Sequence, residues 1–342
     1  MEMSKIVTFG EIMLRLSPPG YYRINQTTSY EAVYGGGEAN VAVSLANYGQ
    51  DVSFVTKLPE NPVAEAAIRA LRAHGVNTGD IVMGGDRVGI YFAEKGASQR
   101  PSKVVYDRKN SSISTAKDSD FDWDKIFKDT EWFHFTGITP ALGSNVAEIC
   151  LKACKKAKSK NIMISCDLNF RKKLWTTKEA NKTMSELMKY VDICIANEED
   201  AEKVFGIKAE NSKVTEGKLD RNGYKQVAEQ LKNRFGFDKV AITLRESISA
   251  SNNRWGAMLF SESVAYFSET YDMHIIDRVG GGDSFGAGLI YKLISGASDS
   301  EALRFAVAAS CLKHTIEGDF NEVSVSEVEA LVSGDTSGRV QR

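Results

Sequence analysis

Short apolar runs alternate with helix-spaced patterns along almost the whole chain. Strand candidates lie at 53–58, 132–136, 162–168, 191–196 and 239–244. Helix candidates lie at 38–48, 63–74, 145–159, 223–235 and 300–314. Such alternation builds βαβ units, and therefore a mainly parallel sheet covered by helices on both faces. The expected fold class is α/β, and 342 residues are enough for one large domain of that kind. Ligands in such folds bind beyond the carboxyl ends of the strands.

Two stretches interrupt the alternation. Residues 13–34 and 88–108 carry strand-like pieces with no helix between them, and Tyr91, Phe92, Val104, Val105 and Tyr106 suit a small antiparallel sheet. The polar, Gly- and Ser-containing tail 333–342 is expected to fray. A formal net charge of −2 argues against nucleic-acid or anionic-membrane partners. No run approaches the ~18–20 apolar residues of a membrane span. The chain enters a strand-like segment at 5–9 without a signal-peptide pattern. Five cysteines, an odd number without paired spacing, suit a reducing cytoplasm. Cys150 and Cys154 lie on one helix face and are expected in the core. None of the four histidines has a zinc-ligand spacing, and His314 is expected to be structural.

Two glycine clusters carry the chemistry. Asp277-Arg278-Val279-Gly280-Gly281-Gly282-Asp283 opens a helix-compatible run, Ser284 to Ser295. Glycines let backbone N–H groups converge and let a ligand approach, and the helix N-terminus adds partial positive charge. The result is an anion cradle with a carboxylate at its rim. Gly35-Gly36-Gly37-Glu38-Ala39-Asn40 opens a second helix in the same way. No Gly-x-x-x-x-Gly-Lys-Ser/Thr is present, so the chain is not a P-loop enzyme. Asn40 and Phe285 stand where a Gly-x-Gly-x-x-Gly would need its last glycine, which argues against the alternative of an NAD-dependent dehydrogenase.

Together the two clusters resemble the paired signatures of the ribokinase-like carbohydrate kinases, the PfkB family. The resemblance implies a ribokinase-like fold, with 13–34 and 88–108 as a lid over the sugar. It makes Gly35, Gly36 and Asn40 sugar contacts, Gly280, Gly281 and Gly282 the anion hole for the γ-phosphate, and Asp283 the base. It implies ATP as co-substrate and Mg²⁺ bridging the phosphates mostly through water. Asn197-Glu198-Glu199-Asp200 corresponds to the family's metal-organising Asn-x-x-Glu, with Asp200 one methylene shorter. Thr243 and Arg245, with Asn197, Gly280 and Gly282, are the nucleotide candidates. Relatives often pair through their lids, so a homo-oligomer is expected. Asp277-Arg278 replaces the usual Asp-Thr, which leaves open the monovalent-ion site that some members build near that threonine.

The substrate is addressed by Tyr91, Tyr106 and Arg108 in the interrupting segments and by Arg171 at a strand end. Two arginines at one small site suit an anionic substrate, because guanidinium pairs bidentately with carboxylate. Arg15 stands about where ribokinases and adenosine kinases carry a sugar-binding aspartate, which argues against neutral ribose. The set, with its Tyr-x-Arg, Asp-x-Asn-x-Arg and Arg-Val-Gly-Gly-Gly-Asp, resembles the 2-keto-3-deoxygluconate kinases within the family. Fructokinase and 5-dehydro-2-deoxygluconokinase are the near alternatives.

Overall fold

A computed structural model describes residues 5–197, 199–208 and 221–335. In chain order the strands are β1 (Lys5–Phe9), β2 (Met13–Ser17), β3 (Glu31–Gly35), β4 (Asp51–Val55), β5 (Lys57–Leu58), β6 (Val82–Met83), β7 (Gly89–Glu94) and β8 (Lys103–Asp107). There follow β9 (Thr130–Thr136), β10 (Met163–Asp167), β11 (Ile193–Asn197), β12 (Lys239–Ser247), β13 (Asn252–Ser261), β14 (Val264–Phe267) and β15 (Tyr271–His274). The main sheet has the order β14-β13-β12-β11-β10-β9-β1-β4, with β15 also on β13. It is parallel from β12 to β4 and antiparallel beyond β12.

Strand side chains alternate between two cores, as a sheet buried on both faces requires. Val7 and Phe9 join the helices Ser144–Ser159, Thr177–Leu187 and Arg221–Phe235 on one face. Ile6 joins Gly37–Asn47, Pro62–Ala73, Gly281–Ile294 and Asp299–Lys313 on the other. The last of these helices starts at a capping box, in which Ser298 Oγ accepts from the Glu301 N–H and Glu301 reaches back to the Ser298 N–H. Such a cap stabilises a helix by about 1 kcal/mol. All five cysteines are free and buried. No described helix is long and apolar enough to cross a membrane.

The interrupting segments form a separate four-stranded sheet, β3-β2-β7-β8. It differs from the expected antiparallel arrangement. The outer pairs are antiparallel, with Tyr91 opposite Tyr106, but the central pair β2/β7 is parallel. Between β2 and β7 the chain returns through the main sheet and the helix Pro62–Ala73, the long crossover that parallel pairing requires. Of the tail, Ser333 closes the helix Val325–Val332, and 336–342 lie outside the described residues.

Candidate active site

The four-stranded sheet stands over the carboxyl ends of the parallel strands, and a cavity of about 440 Å³ lies between them. Asp167, Asn197 and Thr243, at or near the ends of β10, β11 and β12, line its floor, while Arg15, Tyr91 and Tyr106 line it from the smaller sheet and Arg108 from just past β8. Asn40 and Asp283 meet in its wall. Asn40 Nδ2 donates to Asp283 Oδ2 at 2.6 Å. These residues are 243 apart in sequence, and the two helix N-termini bring them together.

Asp283 lies in the first turn of the helix Gly281–Ile294. Burial pushes its carboxyl up to about 6, against the opposing pull of the Asn40 hydrogen bond and the Arg171 charge. A carboxylate so placed is a weak base that is ionised at neutral pH.

The helix is entered through Gly280, whose φ of 82° is left-handed. An added Cβ there would stand 2.1 Å from the Asp319 carbonyl oxygen. Gly280→Ala should therefore cost roughly 2–5 kcal/mol from αL strain and overpacking together. An unchanged urea midpoint would refute this. Gly281 has a different task. Its added Cβ would meet the His314 ring at 2.2 Å, so here the missing side chain makes room for the imidazole. Gly280 and Gly282 line the cavity; Gly281 does not. Gly36 lines it too, whereas Gly35 sits behind, against the Asp319 carboxylate.

The two expected anion-reading arginines both line the cavity, in unlike surroundings. Arg108 Nη2 is ion-paired with Glu11, which also accepts from the Ser111 hydroxyl. Its Nε is buried without a partner, and the guanidinium lies 5.4 Å from the Tyr106 ring centroid. Arg171 has no ion pair among the described residues. It donates at 3.4 Å to the Phe170 carbonyl, and its charge acts on Asp167, Asp200 and Asp283. Burial, then the charges of Asp200 and Asp283, push Asp167 well above the usual carboxylate range.

Asn197 and Asp200 hold one another. Asn197 Oδ1 accepts from the Asp200 N–H at 3.0 Å, and Asp200 Oδ2 accepts from the Asn197 N–H at 3.3 Å. Asp200 Oδ1 accepts from the Phe170 N–H at 3.1 Å. Both carboxylate oxygens thus already have backbone donors, which favours contact with a metal through water over direct ligation. Glu198 lies outside the described residues. No cluster of three metal-ligating side chains occurs among those described.

Several lining residues were not legible from motifs. Arg278, Trp255 and His314 line the cavity, as does the expected Arg245. Arg278 Nη2 donates to the Ala250 carbonyl at 2.9 Å, and its Nε is buried and unpartnered. Burial and the neighbouring Arg245 charge pull Arg278 below the ordinary arginine range, the electrostatic signature of a site that favours an anion. The Asp-Arg departure at Asp277-Arg278 was the available signal. His314 is held neutral by burial, which pulls it down to about 4. Arg15 is an internal strut. It donates to Asp277 at 2.6 Å, Asp319 at 2.8 Å and Ser17 at 2.8 Å, and Asp319 also accepts from the Tyr91 hydroxyl. Glu38 is another strut. It accepts from Thr136 and Thr139, and burial pushes it up to about 7.

This geometry has close counterparts. The sequence profile described as pfkB family carbohydrate kinase matches residues 3–323. A crystal structure of 2-dehydro-3-deoxygluconokinase from Thermotoga maritima is 54% identical, with a TM-score of 0.94 over 97% of this chain and 99% of that one. A 2-dehydro-3-deoxygalactonokinase of Haloferax volcanii is 31% identical over 98% of each chain. A 2-dehydro-3-deoxygluconokinase of Thermoproteus tenax is 25% identical over 96% of this chain and 93% of its own. With a profile match over residues 3–323, and with both glycine clusters meeting at one cavity, the chain belongs to the pfkB family of carbohydrate kinases.

Proposed function

We propose that this kinase transfers the γ-phosphate of ATP to the terminal hydroxyl of 2-keto-3-deoxygluconate. The observation that carries the substrate class is the unpartnered, buried Nε of Arg108 in a cavity that also holds Asn40 and Asp283. A buried donor without an acceptor is costly, and a substrate carboxylate would satisfy it. Glu11 occupies only Nη2, so the guanidinium keeps donors for the ligand. The names of the relatives above support the same class.

Phosphoryl transfer runs through a loose transition state, so catalysis is mainly positioning and charge stabilisation. The acceptor hydroxyl lies against Asp283, which orients it and takes its proton as the new P–O bond forms. Backbone N–H groups at 280–283 stabilise the transferring phosphoryl oxygens. Arg245 and Arg278 hold the nucleotide phosphates, with Asn197 and Thr243 at the strand ends beside them. Mg²⁺, when bound, would supply charge neutralisation for the phosphates, and Asp200 is the side chain that would help to hold it. The four-stranded sheet serves as a lid, excluding water that would otherwise accept the phosphoryl group.

ADP release from ATP, followed with a panel of acceptors, tests this reading. 2-Keto-3-deoxygluconate should exceed fructose, ribose and 5-dehydro-2-deoxygluconate in kcat/KM. The panel includes 2-keto-3-deoxygalactonate, its C4 epimer, because of the Haloferax relative. Equal or better turnover of fructose would end the sugar-acid reading and leave the kinase intact.

A further inference from the structure

The helix Asp299–Lys313 ends on a lysine that is fully buried. Its ammonium does not reach the cavity. Nζ donates to the carbonyls of Ile316 at 3.1 Å and Gly318 at 2.9 Å. Burial pulls it below the ordinary lysine range, and the charges of Asp277, Asp319 and Asp283 act against that pull to hold the proton. Its Cε lies 3.2 Å from where a Cβ of Gly280 would stand, directly behind the anion-binding turn.

The groups around Nζ form a connected shell. Asp277 Oδ2 accepts from the Gly318 N–H at 3.2 Å, and Asp277 Oδ1 accepts from the Val279 N–H at 3.1 Å. Asp277 and Asp319 share Arg15. Arg15 pairs with both carboxylates directly, Lys313 acts on them through its charge, and the group of two carboxylates and two cations is neutral only with both. Backbone carbonyls and carboxylates are hard oxygen donors, the set that holds alkali cations. An ammonium tethered among them makes a free ion unnecessary.

We propose that Lys313 is the built-in monovalent cation of this kinase. It neutralises Asp277 and Asp319, pins the turn 316–319 against Gly280, and keeps positive charge behind the γ-phosphate site without a dissociable ion. Lys313 is a positioning residue, and the inference rests on reading Gly280–Asp283 as the phosphate-binding turn.

The test compares KCl, NH₄Cl and tetramethylammonium chloride at equal ionic strength. The wild-type protein should show the same kcat in all three, and melting temperatures within about 1 °C of one another, because no cation binds specifically to the folded state. Lys313→Met removes the charge and leaves an oxygen-lined space. Its kcat should fall about tenfold or more in tetramethylammonium, with KM for the sugar acid little changed. K⁺ or NH₄⁺ should restore kcat and raise the melting temperature, and tetramethylammonium should do neither. A purely structural lysine would give no cation-selective recovery.

A wild-type enzyme that gains activity or stability from K⁺ overturns the proposal. So does a folded Lys313→Met variant that ignores every small cation. If Lys313→Met does not fold, Lys313→Gln is read by the same criteria, and the wild-type comparison stands independently. The melting measurements need no substrate. Failure of the kinase reading, with no acceptor phosphorylated, is thus distinguishable from failure of the cation inference.

Discussion

Asp283→Asn is expected to lower kcat by at least ~10²-fold, with KM for ATP and the sugar acid nearly unchanged. The amide is almost isosteric, and its oxygen can still accept from Asn40 Nδ2, the 2.6 Å contact of the native carboxylate. What disappears is the proton acceptor. The native enzyme should also lose kcat/KM as pH falls through about 6, the value to which burial pushes Asp283, because the protonated acid cannot take a proton. Stability should move the other way. A folded-state value above the unfolded one means that the folded protein retains a proton that the unfolded chain gives up. This contribution is present below about pH 4 and is lost as pH rises through about 6. Removing the buried charge should then raise stability at pH 8 by on the order of 1–3 kcal/mol. Measurements of kcat, the pH profile and thermal melts decide the matter. Near-normal turnover by a folded Asp283→Asn variant would remove Asp283 from the role of base.

Arg108→Lys is expected to raise KM for the sugar acid by about 10- to 150-fold, the equivalent of losing one charge-assisted hydrogen bond of about 1.5–3 kcal/mol. Lysine keeps a charge for Glu11, so the buried carboxylate is not stranded. It cannot reproduce the second face of the guanidinium, where Nε is free. KM for ATP should not move, since Arg108 follows β8 and is held on Glu11, whereas Arg278 is held on the Ala250 carbonyl. A neutral acceptor should lose much less. If lysine proves to support binding by itself, Arg108→Leu combined with Glu11→Gln removes both charges and gives the same comparison. Equal losses for acid and neutral sugars, or weaker ATP binding, would show that Arg108 does not read the carboxylate.

The alternation of strands and helices was readable along the chain, because burial on both faces demands continuous apolar strands and one-sided helices. The strands observed at Thr130–Thr136, Met163–Asp167 and Ile193–Asn197 lie close to their apolar runs. The sequence also pointed to the cavity, since a glycine run before a helix has few structural uses other than close approach. Gly280 and Asp283, which both line it, were legible for that reason. Periodicity did not reveal the parallel pairing of β2 with β7, because strand direction depends on the route taken by the intervening chain. Nor did it reveal the antiparallel extension through β13, β14 and β15.

The division of labour among the glycines was settled only by what packs against each: Gly281 against His314, Gly35 against Asp319. The same holds for the charges. Arg15, Arg108 and Lys313 are all cations in the sequence. Yet Arg15 is spent on Asp277 and Asp319, Arg108 is half-spent on Glu11, and Lys313 lies behind the turn at Gly280. A charge has a role only through its distance to other charges and the water it has lost. Those distances join residues as much as 304 positions apart, and only the folded chain sets them.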